Sequence, residues 1–330
     1  MRRRSAICIA AVALGLFVAP CTATAAPATK AFRIGWLGQG SPAPSNRDAG
    51  DFEQGLRDVG YTKGQNVVIE YRYADGNVER LALLATELVR LPVDVIVTSG
   101  EQAAFAAKRA TRDIPIVTTD LGLDPVKAGL VASLGRPGGN ITGLATLSDD
   151  LWPKRLGLLK EVTPRASRLA VLGNPANSSN TSCFEEIKAA ASATGLRTRF
   201  LGVSDEKTLA EAFAGILNER PEGLVICWDS VTLVHAKAIA DFALKQRLPT
   251  LAPLKEYVEA GALLSFGARL PAQRRRTAYY VDKILKGAKP ADLPVERPTL
   301  FELAVNLPTA KALGLALPAA LVVLADVIVE

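Results

Sequence analysis

The chain has 330 residues, of which 49% are hydrophobic and 22% charged. That is ample apolar material for one large or two medium α/β domains, and it excludes a disordered or low-complexity protein. The formal charge of +6 includes Arg2, Arg3 and Arg4, and falls to +3 without them, too small a surplus for a nucleic-acid footprint.

Those arginines open a distinct segment. Met1-Arg2-Arg3-Arg4 is basic, residues 6–19 are almost entirely apolar, and Ala23-Thr24-Ala25-Ala26 offers small residues for cleavage. This is the pattern of a secretory signal peptide over residues 1–26, too short and wrongly flanked for a membrane span. Lipidation at Cys21 is the alternative, but Pro20 just before it fits a lipobox poorly. Cys8 and Cys21 leave with the signal, while Cys183 and Cys227 remain in a chain exported to an oxidising compartment. Cys227 lies in an apolar, strand-like run where cysteine acts as a small hydrophobe, so a disulfide is not the expectation.

From residue 32 short apolar runs alternate with longer amphipathic ones. Strands are expected at 32–37, 67–71, 93–97 and 114–118, with helices at 47–59, 78–90 and 102–110 between them. A further strand is expected at 141–144. The series then restarts, with strands at 168–173, 197–203, 223–228 and 248–251 and helices at 184–193, 207–217 and 231–245. Alternation of this kind predicts parallel sheets covered on both faces. The two halves are organised alike: Val95-Ile96-Val97 precedes a helix and Ile114-Pro115-Ile116, as Val225-Ile226-Cys227 precedes a helix and Leu248-Pro249-Thr250. Two doubly wound domains are therefore expected rather than one long sheet. Residues 273–286, with Arg274-Arg275-Arg276, read as an amphipathic helix with its arginines on the solvated face. The apolar run 315–329, interrupted by Pro318 and Asp326, reads as part of the fold and not as an anchor.

Ligands of open parallel sheets bind beyond the carboxyl ends of the strands. Those loops are 38–45, 98–101, 119–124, 174–180, 228–230 and 265–269, all rich in Ser, Thr, Asn, Asp or Gly. Turn chemistry accounts for part of that enrichment. Thr98-Ser99-Gly100-Glu101 sits where a strand becomes a helix, and four readings compete for it. Nucleophilic catalysis by Ser99 needs a base, and the single histidine, His235, lies on a distant expected helix; no Gly-x-Ser-x-Gly elbow exists. A phosphate loop is excluded by spacing, because the glycine-rich stretch 135–140 precedes a strand and lacks a following Gly-Lys-Ser/Thr. One histidine and two cysteines in the same half build no usual zinc site. Helix capping and ligand gripping remain, and they are compatible. Ser99 with Gln102 matches a capping box, Glu101 suits the helix dipole, and the free N–H groups of the first turn suit a ligand carboxylate.

Several strings resemble one family. They include Phe52-x-x-Gly55-Leu56-Arg57-x-x-Gly60-Tyr61-x-x-Gly64-Gln65-Asn66-Val67 and Ala85-x-Glu87-Leu88-Val89-x-Leu91-x-Val93-Asp94. Asp124-Pro125-Val126, Arg136-Pro137-Gly138-Gly139-Asn140, Asn174-Pro175-Ala176-Asn177, Glu256-Tyr257-Val258-Glu259-Ala260-Gly261 and Asp282-Lys283-Ile284-Leu285-Lys286-Gly287 add to them. Over essentially the whole mature chain the sequence resembles the tryptophan/tyrosine-type ABC transporter substrate-binding proteins.

The resemblance implies a type I periplasmic-binding-protein fold: two Rossmann-like lobes joined by a hinge that the chain crosses three times, near Ala145, Gly267 and Leu293. The N-terminal lobe would hold 31–145 plus 267–292, and the C-terminal lobe 146–266 plus 293–330. It implies a periplasmic, monomeric protein without catalytic residues, cofactor or metal, and without nucleic acid as partner. It would capture a small polar or amphipathic ligand in the cleft and deliver it to a membrane permease and its ATPase; an aromatic amino acid or related carboxylate is one candidate. A ligand-sensing subunit for a membrane sensor kinase is the alternative. A sugar-responsive repressor would need a helix-turn-helix domain where the signal peptide stands. By strand-end position, Ser99, Gly100 and Glu101 are expected to hold one end of the ligand, with Gln39, Ser41 and Asp120 from the same lobe. Asn174, Asn177, Trp228, Asp229 and Ser265 are the candidates on the other lobe. Trp228 either stacks on a ligand ring or packs. Members of the family often carry a Gly-Gly-Thr-Pro-like corner, whereas this chain has Ser99-Gly100-Glu101-Gln102. Glu101 and Asp120 thus add negative charge, which favours a ligand with an ammonium or polar group.

Overall fold

The computed structural model describes residues 31–42, 48–146 and 151–330. The expected signal peptide, Cys8 and Cys21 lie outside the described residues, as does part of the loop 38–45.

The first lobe follows the expected alternation: β1 (Phe32–Gly38), α1 (Asp48–Asp58), β2 (Val67–Tyr73), α2 (Arg80–Arg90), β3 (Val95–Ser99), α3 (Glu101–Ala110), β4 (Ile116–Leu121) and β5 (Ile141–Ala145). All neighbours in the order β2-β1-β3-β4-β5 are parallel. Strands β3, β4 and β5 are buried throughout, which is why they read as continuous apolar runs.

The second lobe contains α4 (Trp152–Val162), β6 (Arg168–Gly173), α5 (Ser178–Ala193), β7 (Arg197–Gly202), α6 (Glu206–Glu219), β8 (Gly223–Ile226), α7 (Ser230–Val234), α8 (Ala236–Lys245), β9 (Thr250–Ala252), α9 (Lys255–Glu259) and β10 (Leu264–Ala268). The chain then makes α10 (Leu270–Leu285) before β11 (Phe301–Asn306), α11 (Leu307–Leu313), α12 (Ala319–Val323) and β12 (Val327–Val329). The sheet order is β12-β11-β10-β9-β8-β6-β7, with β11 antiparallel to β10 and parallel to β12.

Helix α10 follows a strand of the second sheet but packs on the first lobe. Its Ala278, Tyr280, Val281 and Ile284 share a core with Ile34, Trp36, Phe52 and Leu56. Gly55 of α1 permits this, because a Cβ there would collide with the backbone of Arg275. The segment after α10 stays on the first lobe. Ala145 N donates to Glu296 O at 2.9 Å and Glu296 N to Gly143 O at 3.0 Å, and Val295 belongs to the first-lobe core. This is the type I periplasmic-binding architecture, and the crossings hold both lobes beside one cleft.

The structure departs from the sequence reading in instructive places. Helix α4 has weak amphipathic periodicity and had no counterpart in that reading. Helix α5 starts six residues before the expected position 184, because Asn177 caps it by accepting from Ser179 N. The expected helix 231–245 breaks at His235 into α7 and α8, with Asp229 and Thr232 forming a capping box ahead of α7. Strand β8 ends at Ile226, so Cys227 and Trp228 lie on the strand-end loop rather than inside a strand. The C-terminal apolar run folds into α12 and β12, and no helix among the described residues is long and apolar enough to cross a membrane.

Candidate functional site

The first-lobe side of the cleft is built where β1, β3 and β4 end. Ser99 closes β3, and its carbonyl accepts from Gln39 N at 3.1 Å. The chain turns into α3 at Gly100, whose φ of 90° lies where a side chain is strained; a Cβ there would stand 2.6 Å from Gln39 Oε1. Glycine is thus required at this corner. Gly100, not Ser99, is the N-cap, and no side chain caps the helix. The expected capping box is therefore not formed.

The anion at the start of α3 is internal. Gly100 N donates to Asp120 Oδ1 at 2.9 Å, and Thr119 Oγ1 donates to the same oxygen at 2.7 Å. Asp120 Oδ2 lies 3.9 Å from Arg274 Nη2, and Arg274 Nη1 lies 4.0 Å from Asp51 Oδ2. Arg274 is buried, so the expectation that the arginines of α10 face solvent fails at this position. Gln39, Ser99, Gly100 and Asp120 thus form one bonded corner, while half-buried Ser41 lies on the loop beyond it.

Glu101, the first residue of α3, is 2% exposed. Its Oε1 accepts from Gly122 N at 2.9 Å. Burial raises its pKa to about 7, against the lowering effect of the polar groups around it, its own backbone N–H, the Ser179 hydroxyl and Gly122 N; the charge of Asp120 raises it further. Among the described residues no lysine or arginine pairs with it.

The second-lobe side is a polar cluster. Asp229 accepts from Asn174 Nδ2 at 3.2 Å, Asn177 Nδ2 at 2.9 Å and Val231 N at 2.8 Å. Asn180, which the sequence reading passed over, accepts from Asn174 N at 2.7 Å and donates to Trp228 O at 2.8 Å. Asn174, Asn177 and Asp229 are all buried, and their bonds order the loops after β6 and β8. Ser265 is buried within β10, and its hydroxyl has no hydrogen-bond partner among the described residues.

The two sides meet. Gln102 Nε2 donates to Asn177 Oδ1 and to Ser178 Oγ, each at 3.3 Å. Beside this contact a narrow pocket with a cavity volume of about 30 Å³, partly open to solvent, is lined by Glu101 and Gly122 from the first lobe. Trp152, Ser179, Asn180, Cys183, Trp228 and Pro253 line it from the second. Of the candidates, Glu101 and Trp228 line the pocket, whereas Gly100, Asp120, Asn174, Asn177 and Asp229 do not. Trp152, from the unanticipated helix α4, was missed; its Trp152-Pro153 pair at a helix start was the available signal. It is 1% exposed, and its Nε1 has no partner among the described residues.

Cys183 and Cys227 form a disulfide with their Cα atoms 6.3 Å apart, a pairing that the sequence allows but does not favour. It forms because Cys227 lies just past β8, facing the first half of α5. The bridge fixes α5 to the residue before Trp228, directly at the pocket. A larger groove lined by Arg168, Arg197, Arg199 and Glu219 opens at the amino ends of β6 and β7, the wrong end of a parallel sheet for a ligand. Ion pairs Arg168–Glu222 and Arg199–Glu219 occupy two of its three arginines.

A family model for ABC transporter substrate binding proteins matches residues 43–329. The chain belongs to that family. A tyrosine-binding protein of Clostridioides difficile (strain R20291) is 28% identical over 265 residues, covering 80% of this chain and 75% of the relative. Among solved structures, a conserved domain protein from Vibrio cholerae superposes with a TM-score of 0.85 at 28% identity, over 91% of this chain and 100% of that one. An ABC domain in complex with L-Trp from Streptococcus pneumoniae gives 0.83 at 25% identity, over 91% and 100%. The ligand-free, open structure of a substrate-binding protein with adhesive properties from Clostridium difficile gives 0.66 at 25% identity, over 91% and 99%. The resemblance to the tryptophan/tyrosine type of this substrate-binding family thus holds along the chain.

Proposed function

We propose that the protein is the solute-binding component of an ABC importer that closes around an amino acid bearing an aromatic ring, in the pocket between its lobes. The observation carrying this reading is the pocket itself: Glu101 and Gly122 face Trp152 and Trp228 across the cleft. A polar grip set opposite two indoles suits a ligand with a charged head and a flat apolar body. The names of two relatives, one tyrosine-binding and one solved with L-Trp, support the same ligand class.

Closure works by differential contact. A ligand that bridges the lobes adds its own contacts to the Gln102–Asn177 bridge and shifts the population toward the closed state. The higher superposition on the L-Trp complex than on the open, ligand-free relative, at equal identity, supports a closed arrangement here. The lobes divide near Ala145 and Gly267, with the last return after Glu296, whose backbone bridges Leu144 of β5. The protein works outside the cytoplasm, in the periplasm after removal of residues 1–26. It acts as a monomer that delivers ligand to a permease and its ATPase, without turnover.

A thermal-shift panel of L-tyrosine, L-tryptophan, benzoate and aliphatic amino acids tests the reading. An aromatic amino acid should raise the melting temperature with concentration, by about 2.7 kcal/mol of stabilisation at a hundredfold excess over Kd. A panel in which no aromatic amino acid shifts the transition would sink it.

A further inference from the structure

The family reading leaves open what sets the charge of the ligand's head group. The first turn of α3 is a natural anion grip, yet its two leading donors are already engaged. Gly100 N is bound to Asp120 Oδ1, and Glu101 N lies against its own carboxyl group. A ligand carboxylate placed there would displace a buried Asp120 carboxylate from an ordered site. The charges facing the pocket from every side are acidic or already paired. Glu101 stands on α3 and Asp120 at the end of β4. Arg274 of α10 is paired with Asp120 and Asp51, and Asp229, before α7, is held by Asn174 and Asn177. From α5 comes the neutral Ser179, and from α4 the Trp152 indole. The Arg155 guanidinium of α4 lies 4.5 Å from the Trp152 ring, and its Nε donates to Phe266 O, turned toward β10. What remains is a buried carboxyl group on the wall of a cavity, with no cation paired to it among the described residues. On the opposite wall stands the buried Trp152 indole N–H, which has no partner among the described residues.

We propose that Glu101 determines specificity at this site by taking the ligand's ammonium group as a carboxylate, releasing its proton to solvent as the ammonium binds. The inference rests on the interlobe pocket being the ligand site. The exchange balances: a protonated Glu101 and an R–NH3+ ligand become an ion pair inside the pocket plus one proton in water. The preferred ligand class is then a primary ammonium with an aromatic body, and a plain aromatic carboxylate is rejected. Burial and Asp120 poise the exchange near neutrality, so affinity for such a ligand should rise with pH where the ligand itself stays charged.

Titration calorimetry with L-tryptophan, tryptamine and indole-3-propionate, at pH 6, 7 and 8 in two buffers of different ionisation heat, tests this. The expected result is binding of the two amines, about tenfold tighter at pH 8 than at pH 6, with proton release at pH 6. Glu101→Gln should weaken both amines at least tenfold at pH 8 and abolish the pH slope. Glu101→Asp should keep proton release at reduced affinity, which a merely structural role would not do. If indole-3-propionate binds as tightly as tryptamine, or if Glu101→Gln keeps the wild-type slope, the inference is overturned while the pocket reading stands. If none of the three binds, the pocket reading falls and the inference with it.

Discussion

The side-chain amide of Gln102 donates to Asn177 Oδ1 at 3.3 Å, joining the first turn of α3 to the cap of α5 across the interlobe cleft. The same Asn177 oxygen accepts from Ser179 N, and its Nδ2 donates to Asp229. One bond between the lobes therefore lands on the residue that organises the second-lobe wall. Gln102→Ala should remove about 1 kcal/mol from the closed state, weakening ligand binding several-fold with little change in melting temperature. Small-angle scattering of the ligand-free variant should show a larger radius of gyration than wild type. An unchanged affinity would show that the bridge adds nothing to closure.

Glu101 makes stability depend on pH. Its folded pKa is raised from 4.5 to about 7, so between those values the folded state holds a proton that the unfolded chain has lost. This contribution is complete below about pH 4.5 and disappears as pH rises through 7. It is worth on the order of 3 kcal/mol. Melting curves from pH 5 to 8 should show the ligand-free protein losing this stability with rising pH. Glu101→Gln should flatten that part of the slope. Subtracting the two curves isolates Glu101 from Glu302, also raised by burial, and from Glu222 and Glu296, which hydrogen bonds shift downward.

The Cys183–Cys227 bridge closes a loop with a sequence separation of 44. Loop-closure entropy puts its contribution at roughly 2–4 kcal/mol. Cys183→Ser with Cys227→Ser should lower the denaturant midpoint accordingly. It should also weaken ligand binding, because α5 and Trp228 are no longer tied together at the pocket. Thiol titration of the unfolded, unreduced mature protein should find no free cysteine; two free thiols would contradict the bridge.

Gly100→Ala asks an alanine to adopt a φ of 90° with its Cβ 2.6 Å from Gln39 Oε1. The strain should destabilise the protein by about 1–3 kcal/mol and shift α3 against β4, where Gly100 N meets Asp120. Gly60→Ala offers a control, since its φ is also positive at 91° but nothing lies within 4 Å of its Cβ. The difference between the two variants reports the crowding of the corner alone.

The sequence by itself determined the βα alternation, the two-lobed plan and the candidate loops, because buried parallel strands need runs of apolar residues and their helices need an amphipathic stripe. It also placed Glu101 and Trp228 at strand ends, since that depends only on where apolar runs stop. The partners these residues meet depend on packing between distant elements. Ser99 matched a capping box, but the tight turn at Gly100 and the arrival of Asp120 from β4, 20 residues away, replaced that local bond with a longer-range one. Arg274 looked like a solvated charge because the periodicity of Tyr280, Ile284 and Leu285 set the arginines on the outer face of their helix, and it is buried because Asp51 and Asp120 approach it where α10 packs on the first lobe. Trp152, Ser179 and the disulfide escaped the sequence reading for a related reason. Helix α4 carries little periodicity, and the approach of Cys183 to Cys227 depends on how α5 lies over β8. Local patterns report which face a residue prefers, whereas the partner that satisfies a buried polar group is set by the packing of elements far apart in the chain.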